Sequence, residues 1–147
     1  MDKAKLALKQ KLLDAKDTTK VKVRFNDTDA MGVVHFKNYM VYFDDGFVSF
    51  MNSIKNNRNL EEMIHEGIAN GVKHVDITYE GSAKFGDYII VKTHIKEIGK
   101  TSVTFNHELY KESDNSLLAK VGAVRFALNI NTNQLMPIMN FFEYFLK

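Results

Sequence analysis

Apolar and polar residues change period several times along the chain, and each change marks an element. Leu6, Leu8, Leu12 and Leu13 stand among lysines in residues 3–16, which predicts a short amphipathic helix on a surface. A helix lying on a membrane surface is the other reading of that stripe. Val21, Val23 and Phe25 then alternate with Lys22, Arg24 and Asn26, the period-two signature of a half-buried strand. The pattern breaks over residues 27–32. From about Phe36 the spacing becomes three and four, through Met40, Phe43, Phe47, Phe50 and Ile54. Tyr39, Tyr42, Val48 and Met51 widen this stripe until it nearly encircles the helix, so the helix belongs in an interior. Asn56, Asn57 and Asn59 end it, and residues 60–66 predict a second short helix.

After Gly71 the period is two. Val75, Ile77 and Tyr79 alternate with polar residues, and Tyr88–Ile98 does so over a long span. Turns at Gly99-Lys100 and Asp114-Asn115 separate further strands through Val103–Leu109 and Leu117–Leu128. Pro137 precedes a final aromatic helix or tail, Phe141–Leu146. One strand, one long buried helix and then four antiparallel strands indicate an α+β domain in which a sheet wraps the helix. With 147 residues, the chain reads as a single domain over residues 1–147, with residues 1–20 as an N-terminal helical extension.

Composition narrows the function classes. At 45% hydrophobic and 26% charged residues the chain is globular, not disordered. A net charge of +2 is too mild for a nucleic-acid-binding face. The absence of cysteine removes disulfides, thiolate metal ligands and a thiol nucleophile, and fits a reducing compartment. No apolar run reaches the ~20 residues that span a bilayer. The dense charge of the first residues suits neither a secretory nor a transit peptide, so a cytoplasmic location is expected. A deep cavity would consume much of so small a core, which favours a site built between subunits and hence an oligomer.

The chemistry concentrates between the first strand and the buried helix, in Asn26-Asp27-Thr28-Asp29-Ala30-Met31-Gly32-Val33-Val34-His35-Phe36-Lys37-Asn38-Tyr39. Taken alone, Asp27 and Asp29 read equally as turn or cap residues before a helix. His35 reads as a residue tuning the site or as a polar wall. His65, His74, His94 and His107 are scattered, with no metal-ligand spacing.

The run DTD-x-x-G-V-V-x-x-x-x-Y followed by an aromatic-rich helix resembles the 4-hydroxybenzoyl-CoA thioesterase-type hotdog family. The resemblance extends from about Val21 to Pro137. It implies a hotdog fold, with an antiparallel five-stranded sheet wrapped around a long central helix and short helices at both termini. It implies hydrolysis of an acyl-CoA thioester without a cofactor or metal, in a homodimer or homotetramer. The family's catalytic aspartate falls on Asp29, its carbonyl-polarising amide on Phe36, and its Asn-Tyr pair on Asn38 and Tyr39. Gly32, Val34, Asn38 and Tyr39 are then expected beside the substrate, with His35 next to the amide donor. The family's CoA head group implies a cationic rim, for which Lys84, Lys100 and Thr101 are the candidates. The family often places basic residues after the helix acid, where this chain has Asp45 and Phe47 behind Asp44.

The physics is compatible with this placement. A carboxylate attacks a thioester or activates water, and unpaired amides at a helix start stabilise the oxyanion, one donor being worth ~3 kcal/mol. Gly32 allows the tight path from loop to helix. Two other functions compete. A hotdog dehydratase typically pairs a histidine with an acid on the helix, whereas here the acid precedes it. A non-catalytic acyl-CoA sensor or scaffold would use Phe141, Phe142, Tyr144 and Phe145 to bind a partner, which requires them to be exposed.

Overall fold

Period-two segments need partners for their backbone groups and a cover for their apolar face. In the computed structural model, which describes residues 2–147, one antiparallel sheet and one helix satisfy both needs. The strands are β1 (Lys16–Lys22), β2 (Ile68–Tyr79), β3 (Tyr88–Ile98), β4 (Ser102–Lys111), β5 (Leu117–Asn129) and the two-residue β6 (Gln134–Leu135). Their spatial order is β1-β3-β4-β5-β2, with β6 added to β5. Helix α2 (Tyr39–Ile54) lies on the inner face, against β1, β3 and β4. The fold is therefore α+β, a five-stranded sheet around a central helix with a short sixth strand appended. Helices α1 (Lys3–Asp14), α3 (Leu60–His65) and α4 (Ile138–Phe145) close the end remote from residues 25–38.

The core has two apolar clusters, and α2 spans both. Tyr39, Tyr42 and Phe43 pack with Val34, Ile89, Val91, Leu109 and Ala119 near the loop that precedes the helix. Phe47, Phe50 and Met51 pack with Phe105, Ile138, Phe141, Phe142 and Phe145 at the other end. A buried polar pair sits among them, with Thr93 Oγ1 2.8 Å from His107 Nδ1. Above this pair Gly46 lets the helix approach closely, because a Cβ there would lie 2.6 Å from Val91 Cγ1 and 2.9 Å from Thr93 Oγ1.

Several sequence expectations are corrected. The helical extension over residues 1–20 stops at Asp14, and Lys16–Lys22 is already an edge strand paired with β3. Asp17, Thr19 and Val21 point inward, so a polar inward position hid the alternation. The strand expected to reach Asn26 ends at Lys22, because Phe25–Asp27 forms a 3-10 turn. Helix α2 begins at Tyr39, after a separate 3-10 turn over Phe36–Asn38. In place of a basic residue on its own helix, Asp44 is paired from β5: the Arg125 guanidinium donates to Asp44 and lies 3.9 Å from the Phe47 ring centroid. Phe141, Phe142 and Phe145 are buried, which removes the exposed aromatic tail that a scaffold reading requires. Among the described residues no helix is long and apolar enough to cross a membrane.

Candidate active site

The loop from Arg24 to Asn38 is held by one buried carboxylate. Asp27 is 3% exposed, and its oxygens accept from the Arg24 amide (3.0 Å), the Arg24 guanidinium (3.0 Å) and the Tyr42 hydroxyl (2.9 Å). Burial alone would raise this carboxyl, but the Arg24 and Tyr42 hydrogen bonds outweigh it and hold it below the ordinary carboxylate range. The Tyr42 hydroxyl is pushed up in turn, first by burial and then by the Asp27 charge. The Asp27 carbonyl accepts from the His35 amide (3.0 Å) and from Asn38 Nδ2 (2.7 Å). Loop and helix start are thus tied through one residue.

Asp29 opens the tight turn that this frame carries. Its amide donates to the Val33 carbonyl, and its own carbonyl accepts from Gly32. Gly32 has φ +76° with nothing within 4 Å of a Cβ, so the left-handed backbone, not space, calls for glycine. One Asp29 oxygen, Oδ1, accepts from the Met31 amide at 2.8 Å. The turn reading of this aspartate is therefore correct as far as it goes, but it uses one oxygen. Among the described residues, Oδ2 has no hydrogen-bond partner and the side chain is exposed.

The next turn supplies a donor. His35 caps Phe36–Asn38, its Nδ1 accepting from the Lys37 amide at 3.3 Å, so the ring proton resides on Nε2 in the neutral form. The His35 carbonyl accepts from the Asn38 amide. The Phe36 amide has no acceptor among the described residues. Val34 and Tyr39 are buried beneath, and Tyr39 packs edge-on to Tyr42 and Tyr79. The Tyr39 hydroxyl is buried without a full hydrogen bond. Burial raises its pKa, partly offset by the Ala83 backbone.

The expected residues divide by position. Asp29, Gly32, Val34, His35, Phe36, Asn38 and Tyr39 fall within one hydrogen-bonded stretch. Lys84 joins them, since it bridges to Val33 and Phe85 donates to the Gly32 carbonyl. Lys100 and Thr101 do not. They follow β3, which leaves this end of the sheet and runs 11 residues, about 35 Å, to the opposite end. There the Lys100 carbonyl accepts from Ile138. Asn38 engages the loop instead of open space. Arg24, Tyr42 and Tyr79 were not expected. Arg24 stood on the polar side of a strand, and its spacing of three from Asp27 was the available signal. Phe25, Met31, Phe36 and Phe85 surround the loop at 75%, 84%, 64% and 58% exposure, an apolar rim on the surface of a single chain. Among the described residues no group of three or more histidine, aspartate or glutamate side chains is disposed to hold a metal ion.

Comparison with known proteins gives consistent matches. The thioesterase-like superfamily matches residues 23–146. The acyl-CoA thioesterase YbgC of Haemophilus influenzae is 26% identical over 128 residues, covering 86% of this chain and 90% of that protein. Among solved structures, the DHNA-CoA thioesterase of Staphylococcus aureus superposes with a TM-score of 0.80 at 19% identity, over 88% of this chain and 85% of that one. The 4-hydroxybenzoyl-CoA thioesterase of Pseudomonas sp. strain CBS-3 gives 0.77 at 18% identity, over 87% and 97%. At such identities the superpositions establish a shared fold.

Proposed function

The chain belongs to the thioesterase-like superfamily, and on that premise we propose that it hydrolyses an acyl-CoA thioester to a free acid and CoA. One observation carries the assignment. Asp29 has one carboxylate oxygen pinned by its own turn and the other free, in the same hydrogen-bonded stretch as an unpaired Phe36 amide. An anchored carboxylate loses little entropy on reaching a productive geometry, and a preorganised amide stabilises charge as it develops. The thioester carbonyl would sit between them. The free oxygen either attacks that carbon or takes a proton from a water that does. The C–S bond then breaks and the CoA thiolate leaves without strong acid assistance; after direct attack a water hydrolyses the acyl–Asp29 anhydride and restores the carboxylate, whereas after attack by water the free acid forms at once. No cofactor enters the scheme.

His35 holds the amide-bearing turn and Gly32 lies at the wall around the acyl group, with Val34 and Tyr39 buried behind that wall and Asn38 bracing the loop. Lys84 stands nearby as a cation for a CoA phosphate. Lys100 and Thr101 require a second subunit. Strand β2 is an open edge of the sheet, and a second copy pairing antiparallel along it would bring the remote end of one sheet beside the Asp29 end of the other. The apolar rim around Asp29 would be covered by the same association. We propose a homodimer on this basis, with a homotetramer as its further assembly, located in the cytoplasm.

Thiol release from a panel of aliphatic and aromatic acyl-CoAs tests the assignment. Asp29→Asn is expected to lower kcat by at least ~10²-fold with little change in KM and an unchanged fold. Near-normal kcat in that variant on the best substrate would refute Asp29 as the catalytic carboxylate. Hydration of crotonyl-CoA without thiol release would point to a dehydratase instead.

A further inference from the structure

Tyr79 ends β2, and its hydroxyl donates to the Phe36 carbonyl at 3.2 Å across 43 residues of chain. That carbonyl belongs to the Phe36–Lys37 peptide, whose amide end is held by His35 Nδ1. The peptide immediately before it carries the free Phe36 N–H. The turn is only three residues long, and besides its local bonds it is tied to the preceding loop by Asn38 Nδ2 on the Asp27 carbonyl. Among the described residues, Tyr79 is the side chain that hydrogen-bonds this Phe36 carbonyl from the sheet. The contact is more than a single bond. The Tyr79 ring, although 44% exposed, meets the Phe36 ring edge-on at 6.3 Å and the Tyr39 ring edge-on at 5.5 Å, so it rests against both the turn and the first residue of α2.

We infer that Tyr79 is a positioning residue for the reaction, fixing the Phe36 turn so that its free amide keeps the orientation that receives the oxyanion. This rests on the thioesterase reading above and adds a residue that neither the sequence motif nor the family match assigns. The reason is differential. Negative charge develops on the carbonyl oxygen only in the transition state, so a preorganised amide contributes more there than to the bound substrate. Loosening the turn therefore weakens the transition state more than the bound substrate. Because Tyr79 lies on the open edge strand, it also links the oxyanion turn to the surface on which a second copy is proposed to pair.

The experiment compares wild type, Tyr79→Phe, Asp29→Asn and Tyr110→Phe on the best thioester of the panel, with melting temperature measured alongside. Tyr79→Phe keeps both ring contacts and deletes only the hydroxyl. It is expected to lower kcat about three- to tenfold, as one neutral hydrogen bond can, with KM and melting temperature close to wild type. Tyr79→Leu, which also removes the ring contacts, is expected to lower kcat further. Tyr110→Phe, which removes a hydroxyl on the outer face of the sheet beside Lys92, should match wild type. Wild-type kcat in Tyr79→Phe, while Asp29→Asn is inactive, would overturn the inference and leave the thioesterase reading standing. A parallel fall in kcat and melting temperature would show a merely structural role and overturn it too. Absence of thiol release by the wild type would remove the underlying reading and this inference with it.

Discussion

At the residue scale, the informative groups are the buried polar ones. Asp27 and His107 are both buried, yet they resolve the cost of burial in opposite ways. Asp27 stays charged because Arg24 and Tyr42 supply donors. His107 has only Thr93, leaves Nε2 unpartnered, and stays neutral, its pKa pushed down to about 3 by burial and by the Arg125 charge. This has a consequence for stability. Between about 3 and the ordinary 6.5, the unfolded chain binds a proton at this position that the folded chain refuses. Stability from neutral His107 is complete above pH 6.5 and is lost as the pH falls toward 3, with a slope approaching about 1.4 kcal/mol per pH unit. Urea unfolding of wild type and His107→Gln between pH 7 and 4.5 should show this slope in wild type and a shallower one in the variant. Parallel curves would mean that His107 is protonated in the fold.

At the element scale, α2 is placed by a glycine and by an arginine from another strand. A helix interior prefers alanine to glycine by about 1 kcal/mol. At Gly46 that preference is overruled, because the added methyl would press on Val91, a stiff β-branched residue in the middle of the sheet, and on the Thr93–His107 pair. Overpacking of this kind costs ~1–3 kcal/mol. Gly46→Ala is therefore expected to destabilise the protein by about 1 kcal/mol or more in urea titration, against the propensity trend. A gain in stability would show that α2 slides easily on the sheet. The Arg125–Asp44 pair with the Phe47 face beneath it explains how a helix acid is tolerated without a basic neighbour on its own helix.

At the scale of the whole molecule, the single chain exposes what a soluble monomer normally covers. Strand β2 leaves a 12-residue edge unpaired, and Phe25, Met31, Phe36 and Phe85 lie open around Asp29. Sedimentation equilibrium is expected to give at least twice the protomer mass of 16.9 kDa. A monomer at micromolar concentration that still hydrolyses thioesters would place the complete site in one chain and remove the role proposed for Lys100 and Thr101.

What could be read from the sequence was whatever is encoded locally. The change from period two to period three or four located the central helix and the last four strands, and the DTD motif marked the loop before the helix. The first strand was partly missed because Asp17 and Thr19, not apolar residues, face inward there, so its alternation carried little hydrophobic contrast. The family motif singled out Asp29, but only the tertiary structure decided how Asp27 is buried and held, since that depends on Tyr42 arriving from the helix. It likewise decided that Arg125 answers Asp44 across 81 residues and that Tyr79 reaches Phe36 across 43. Periodicity reports how each segment meets solvent, whereas the partner of a polar group is set by contacts between segments far apart in the chain, and these exist only once the sheet has closed on the helix.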